Sequence, residues 1–476
     1  MDLYICTMKW LIVVLIFQAP LLLNCIRGQH VSYYGEDSIV ISNQVDFKAN
    51  YLRPILDITF TNFVINRFNA YVRRSEWAHV KPSDWWINIK RGFIYDGDRF
   101  SSNWFGHPIH GSQFYNSARK SNIDYFKSLP YVMMGSLMWE WLGETEYPSS
   151  NDMITSTLGG QYMGEVLYRL TDHLWNSPSS NKTVNGIAGG LINPVMGMNR
   201  IVFGYEIPKT QTSEIPVKTF LSIGLNQPFN PFSDQMSPTG VLLELEIEYG
   251  NLWNFQGSRI KPFEYFTFRT WLNILAPESE APVYYNISSS SIMYGKKFNY
   301  GTYKSTILSV SQHYRFVHNH LYKIGAFVIT GDAWWFNRIK NNLEFFSGLK
   351  GGAVVLGSGL SENIINEYPD IFPNFQRDYI FGPGYMIQCV GGFKHNYLGR
   401  IDFDLSYYKI FSKPLPEGNE NLQLIKTRYI SPPVGSFSLG LDYNYFKRNG
   451  RYYSAVENTD ISMRAWELRF LIVYAL

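Results

Sequence analysis

The stretch "WELRFLIVYAL" (466–476) sets Trp466, Leu468, Phe470, Ile472, Tyr474 and Leu476 at every second position, with Glu467 and Arg469 between them. Side chains alternate between the two faces of a strand at period two, whereas a helix repeats at 3.6, so this stretch is a strand with one continuous apolar face. "VLLELEIEYG" (241–250) follows the same rule, with Val241, Leu243, Leu245, Ile247 and Tyr249 opposite Glu244, Glu246 and Glu248. So do "IDFDLSY" (401–407) and "FSLGLDYNY" (437–445). Each strand is apolar on one side and polar on the other, the pattern of a barrel wall with lipid outside and water inside.

From about residue 200 onward roughly a dozen such segments follow one another, each near the length a tilted strand needs to cross a bilayer. Turn-rich stretches such as "NQPFNPFSDQMSPTG" (226–240) and "PLPEGNENL" (414–422) separate them. Aromatic residues make up 17% of the chain, which suits the girdles that such barrels place at both membrane interfaces. The strand that runs to Leu476 is similar to the closing strand of bacterial outer-membrane barrels, although leucine stands where an aromatic is usual. The competing architecture is a soluble sandwich or secreted barrel, whose strands alternate in the same way with one face on the core.

The opening of the chain has the order of a secretory signal peptide. Lys9 precedes the apolar run "WLIVVLIFQAPLLL" (10–23), and the more polar "NCIRGQH" (24–30) follows it. Residues 1–28 are therefore expected to be removed, leaving Cys389 as the one cysteine and no disulfide within a mature chain. A net charge of +3, from 42 basic and 39 acidic residues without a basic block, argues against a nucleic-acid partner.

Residues 29–200 read differently. "PILDITFTNFVINRFNAYV" (54–72) fits a helix, although its β-branched residues allow a strand, and "DWWINIKRGFIYDGD" (84–98) reads as a strand ending in a turn. From His107 to about Trp175 the spacing predicts three helical pieces. In "HPIH" (107–110) Pro108 suits the first turn of a helix, which would make His107 the N-cap and put both imidazoles in a positive terminal field that keeps them neutral. Neutral imidazoles suit a metal ligand or a general base.

Carboxylates follow downstream. Glu140 and Glu144 share a helical face if the helix passes Gly143, and Asp152 sits in the turn-rich "PSSNDMITS" (148–156). Glu165 and Arg169 are spaced to pair on one helix, while Gly160 and Gly164 make a small face for close packing. With Arg119 these residues form either a paired polar network or a site. In a site, His107, His110, Glu140, Glu144, Asp152 and Glu165 share acid–base work, or His107, His110 and Glu140 hold a divalent metal. The spacing matches no zinc-protease, nucleophile-elbow, phosphate-loop, dinucleotide or haem motif, and Ser112 is turned away from His110 on a helix.

Four ordered blocks, "DGDRFSSNWFGHPIHGSQFYNSAR" (96–119), "GSLMWEWLGETEYPSSND" (135–152), "TSTLGGQYMGEVLYRL" (155–170) and "INPVMGMNR" (192–200), resemble a family of bacterial envelope proteins common in the Bacteroidota, known as domain of unknown function 3943. The resemblance covers about residues 85 to 202. It implies an outer-membrane location and a β-rich remainder, and no activity. The expectation is a transmembrane antiparallel β-barrel over 201–476, of about twelve strands, with a three-helix N-terminal plug or periplasmic cap. The expected role is structural or transport, in contact with outer-membrane lipid. The alternatives are an envelope hydrolase or transferase acting on a lipid, glycan or peptide, and a soluble periplasmic binding protein.

Overall fold

The computed structural model describes residues 49–176, 181–204, 207, 215–229, 238–255, 257–275, 283–301, 303–319, 322–339, 343–360, 379–413, 417–453 and 459–476. The signal-peptide segment 1–28 lies outside the described residues. Two compact units emerge, one helical (to Asp96, then from Phe105 to Glu214) and one barrel unit that combines Ile215–Leu476 with the short stretch Gly97–Trp104.

In the helical unit α1 (Arg53–Tyr71), α2 (Pro82–Arg91), α3 (His107–Arg119), α4 (Tyr125–Leu142), α5 (Ser150–Ile154), α6 (Gly160–Asn176), α7 (Lys182–Ile192) and α8 (Pro194–Phe203) follow in order, with a π-helical turn joining α5 to α6. The three pieces expected between His107 and Trp175 are α3, α4 and the α5–α6 run, and they are joined by further helices on both sides. The stretch read as a strand at 84–98 is a helix as far as Arg91. Pro82 opens it, the Asp84 carboxylate accepts from the Lys81 backbone N–H at 2.8 Å, and Gly92, at φ 75°, ends it. The two capping signals outweigh the strand preference of its Trp-Trp-Ile core.

This unit buries asparagines among apolar side chains such as Ile58, Phe114, Val132 and Val166, and leaves other large apolar side chains exposed. Asn62, Asn66 and Asn88 are buried and donate to the backbone carbonyls of Gly135, of Ala78 and Gly143, and of Glu144, respectively. Leu56, Phe60, Phe63, Trp86 and Ile201 are exposed. Close approach of the helices rests on glycine: a methyl group on Gly160 would meet the Gly111 backbone, and one on Gly164 would meet the Tyr115 ring. No described helix is long and apolar enough to cross a membrane.

The barrel unit is a closed antiparallel barrel of twelve strands plus one short extra strand. In chain order the strands are β1 (Val217–Phe229), β2 (Gly240–Tyr249), β3 (Arg259–Ile260), β4 (Phe266–Ile274), β5 (Val283–Asn299), β6 (Lys304–His318), β7 (Lys323–Ile339), β8 (Leu343–Leu360), β9 (Tyr379–His395), β10 (Gly399–Ser412), β11 (Glu417–Ile430), β12 (Phe437–Tyr453) and β13 (Thr459–Ala475). The seam joins β1 to β13, with Phe220 opposite Ala475 and Phe229 opposite Trp466. Among the described residues the small β3 pairs only with β5. The alternation anticipated for 241–250, 401–407, 437–445 and 466–476 holds in β2, β10, β12 and β13. Within those stretches the charged residues face the lumen, and Leu225, Leu349, Ile387, Leu405, Leu441, Phe470 and Ile472 are exposed on the outer wall. "EGNENL", anticipated as part of a turn, opens β11, where Glu420 finds a lumenal partner in Arg448 and Asn421 accepts from the Tyr407 hydroxyl on the outer face.

The stretch Gly97–Trp104 packs on outward-facing aromatics of β6, β7 and β9. The Phe100 ring lies 5.4 Å from Phe316 and 5.1 Å from Tyr379, and Trp104 stacks on Phe327 at 5.0 Å. Tyr379 donates to the Asp98 carbonyl at 2.7 Å, and Tyr314 to that of Trp104. This part of the N-terminal region lies against the outer wall of the barrel rather than in its lumen.

Candidate functional site

The residues expected to carry chemistry fall into separate groups. Glu165, on α6, is fully buried. Its Oε2 accepts from Arg119 Nε at 2.9 Å and from the Tyr115 hydroxyl at 2.6 Å, and its Oε1 accepts from Arg169 Nε at 2.7 Å. The Arg119 guanidinium also lies 4.3 Å from the Tyr168 ring centre. Burial alone would raise the Glu165 pKa, but the two guanidiniums outweigh it and hold the carboxyl below its usual range. The expected i, i+4 pair of Glu165 with Arg169 is present, and α3 contributes Arg119 and Tyr115 to it. With every acceptor taken, this group braces α3 against α6 and offers nothing to a substrate.

Around His107 the arrangement is different. Its Nε2 lies 3.1 Å from Asp152 Oδ2, and its Nδ1 3.2 Å from Ser156 Oγ. With Asp152 ionised, Nε2 carries the proton and Nδ1 is the acceptor for the serine hydroxyl, an assignment made from the hydrogen-bond network. Asp152 is set by its helix start: Ser149 caps α5 by accepting from the Asp152 backbone N–H, and Asn151 Nδ2 donates to Asp152 Oδ1 at 2.9 Å. Asn151 also bonds Asp96, accepting from its backbone N–H at 3.0 Å and donating to its Oδ1 at 2.9 Å. The result is a serine–imidazole–carboxylate relay, in which the carboxylate orients the ring and the ring polarises the hydroxyl. Ser156 was not among the expected residues; its signal was the four-residue spacing from Asp152, which puts both on one helical face.

Glu140 is also buried, with Oε2 accepting from the Ser149 backbone N–H at 2.6 Å and Oε1 without a partner. Burial first, then the nearby carboxylates of Glu144, Asp152 and Asp96, push its pKa well above the carboxylate range, so it is held protonated. Glu144 does not share its helical face as anticipated, because α4 ends at Leu142 with Gly143 as its cap. His110 does not take part in the relay. Its ring lies 4.7 Å from both Phe114 and Trp139, and its Nε2 is enclosed without a partner. Burial first, and the neighbouring His107 second, lower its pKa to about 3.

The helix-terminus field invoked for both histidines is absent. Gly106 already has helical backbone angles (φ −59°, ψ −54°), so His107 is not an N-cap. Among the described residues, His107, His110 and Glu140 are not gathered at metal-ligand spacing. Ser112 is turned away as expected, its hydroxyl donating to the Ile109 carbonyl at 2.6 Å.

The barrel lumen is the other polar region. Arg428 on β11 reaches Glu244 and Glu246 on β2 at 2.7 and 2.9 Å, and Arg269 on β4 reaches Asp442 on β12 at 3.1 Å. Each of these ion pairs is a chord across the lumen, spanning three intervening strands. At one end Tyr322 stacks on Phe446 of the opposite wall at 4.2 Å. At the other, Leu252 and Ile260, from the β2–β4 connection, close on Ile292, Ile307 and Phe336, and Lys297 Nζ donates to the carbonyls of Leu252, Trp253 and Phe255. Between the two ends a cavity of about 290 Å³ remains.

No curated protein matches the chain. Among solved structures it is similar to the KdgM porin (9% identity over 54% of this chain and 99% of that one, TM-score 0.25) and to an outer-membrane channel from Pseudomonas putida F1 (7% identity, 57% and 100%, TM-score 0.27). Residues 92–195, which carry the serine–histidine–aspartate relay and the Glu165 brace, match the family model described as domain of unknown function (DUF3943), the family whose motifs the chain resembles.

Proposed function

We propose that the chain is an outer-membrane β-barrel protein of a Gram-negative envelope, exported through its N-terminal apolar stretch, with a structural or transport role. The observation that carries this reading is the outer wall. Leu349, Ile387, Leu405, Leu441, Phe470, Ile472, Ile223 and Leu225 stand exposed on neighbouring strands while Glu244, Asp442, Glu467 and Arg469 turn inward. A water-soluble barrel would reverse that polarity. The Glu165 network keeps the helical unit rigid. The lumen of the barrel unit holds that unit's own ion pairs and end clusters. The test is extraction: solubilisation only in detergent, with gel mobility that shifts on heating, supports the barrel, and release by osmotic shock would replace it with a soluble periplasmic protein.

A second reading is favoured by one observation, the Ser156–His107–Asp152 relay. In it the helical unit is an envelope hydrolase or transferase for acyl groups. His107 takes the proton from Ser156, whose oxygen attacks a carbonyl carbon, and returns it to the leaving group. A fluorophosphonate probe tests it: covalent labelling of Ser156 in the wild type and its loss in His107→Ala would support the enzyme. Failure to label the folded wild-type protein leaves the relay as a structural hydrogen-bond chain.

A further inference from the structure

We infer that the lumenal cavity is a binding site for a small anionic solute, one carrying a carboxylate or phosphate on a body no larger than a monosaccharide. The cavity is lined by Arg269, Arg315, Lys350, Arg400, Lys426, Arg428 and Arg469, against Glu246, Asp402 and Asp404. Four of the cations are committed. Arg269 and Arg428 pair with Glu244 and Asp442, Arg400 with Asp402, and Arg469 with Glu467. Arg315, Lys350 and Lys426 are not. Among the described residues no carboxylate oxygen lies within ion-pairing distance of these three, and they make no hydrogen bond. Arg315 instead lies 5.4 Å from the Tyr408 ring centre, and Lys350 Nζ 4.8 Å from that of Trp334. Arg315 Nη1 is buried without a partner, and so is Asn444 Nδ2, another donor in the lining.

The acids near these three cations are otherwise occupied. Asp404 Oδ1 already accepts from Gln388 Nε2 at 2.9 Å and from Ser406 Oγ at 2.6 Å, and Asp332, opposite Lys350 in the ladder, accepts from Thr330 Oγ1 at 2.5 Å. Arg428 also pairs with Glu246, so the four committed cations meet five carboxylates and offset the excess of these three cations over their two acids. What the cavity leaves unused is donors on one side of it, not net charge. Cationic donors without carboxylate partners, gathered on one side of a cavity, are suited to a charge-assisted hydrogen bond from an anionic group. The remaining lining explains the size limit and the body of the solute. Trp271, Trp334 and Tyr408 offer flat apolar faces, and Asn286, Ser288 and Ser290 offer neutral polar contacts, a combination suited to a ring that carries hydroxyls and one acidic group.

The experiment uses the full detergent-solubilised protein and calorimetric titration with glucuronate, glucose 6-phosphate and glucose. Binding of either acidic sugar, with glucose at least about tenfold weaker, is expected, one charge-assisted hydrogen bond being worth about that factor or more. Preference for one acid over the other tells carboxylate from phosphate. Lys350→Met combined with Lys426→Met should abolish the preference over glucose. Asp404→Asn, which removes the opposing charge, should tighten acid binding several-fold. Lys409→Met, on the outer wall, controls for folding together with heat-modified mobility. Acid binding that is unchanged in the folded double variant, weaker binding in Asp404→Asn, or equal affinity for glucose would each overturn the inference.

Discussion

Glu165→Gln separates a structural network from a tolerant one. The substitution keeps the shape of the side chain and deletes its charge, leaving the Arg119 and Arg169 guanidiniums buried around a neutral amide. Removing one partner of a buried ion pair costs about 3–5 kcal/mol, most of it the desolvation of the charge left behind. At about 1.4 kcal/mol per factor of ten, local opening of α3 and α6 should rise by roughly two to three and a half orders of magnitude. The barrel and helical units need not unfold together, so a global midpoint would hide the effect. Amide hydrogen exchange along α3 (107–119) and α6 (160–176), read by mass spectrometry in detergent, resolves it. The same group sets a pH dependence. Its folded pKa is held below the unfolded value, so the stability it confers is present above about pH 4.3 and is lost as the pH falls through the lower folded value. An exchange increase of less than about fivefold in the variant would refute the view that this carboxylate carries a charge that the helices depend on.

The remaining expectations rest on the neighbouring groups. Glu140→Gln should leave exchange in α4 unchanged or slower, because the native carboxyl is already held protonated; its folded pKa is raised, so its contribution is complete at low pH and falls as the pH rises, and a large loss of protection in the variant at neutral pH would contradict this. His110 should stay neutral in imidazole NMR down to about pH 4, since its pKa is lowered to about 3; the unfolded ring protonates near pH 6.5, so its contribution is present above that value and declines as the pH falls toward 3. Elemental analysis of the purified protein should find the same divalent metal content in the wild type and in His110→Ala, because the His110 ring is enclosed between Phe114 and Trp139. Stoichiometric metal lost in the variant would restore the metal reading.

The barrel was legible because its signal is periodic and repeated. Period-two alternation in β2, β10, β12 and β13 fixed both the strands and which face turns inward, and each segment supported the others. The helical region was less legible where local signals competed. "DWWINIK" has strand-forming residues, yet the proline and aspartate at its start decided for a helix. Glu165 with Arg169 could be read from spacing alone. Arg119 could be listed but not assigned, because its meeting with Glu165 depends on how α3 crosses α6 at Gly160 and Gly164. The relay was half visible. His107 and Asp152 stood out as residue types, but Ser156 is one serine among many until a helical turn aligns it with Asp152. The lumenal cations were invisible as a set, since Arg315, Lys350 and Lys426 lie on three strands, β6, β8 and β11, that are not neighbours in the sheet and meet only through its curvature.

The chords across the lumen also bear on the order of assembly. Arg428 and Glu244 lie on strands far apart in the chain, as do Arg269 and Asp442, and neither pair can form while the sheet is still open. A half-built sheet entering lipid would carry those charges unmatched on its concave side, which disfavours stopping there. Once β1 meets β13, all the chords become available in the same step, so the seam and the interior reinforce each other. A slip of two residues in any ladder between β11 and β2 would preserve the inward–outward alternation yet misplace the guanidiniums along the axis by about 7 Å. The ion pairs thus act as a register check that hydrophobic patterning alone cannot supply, and it is read at the moment the ring closes.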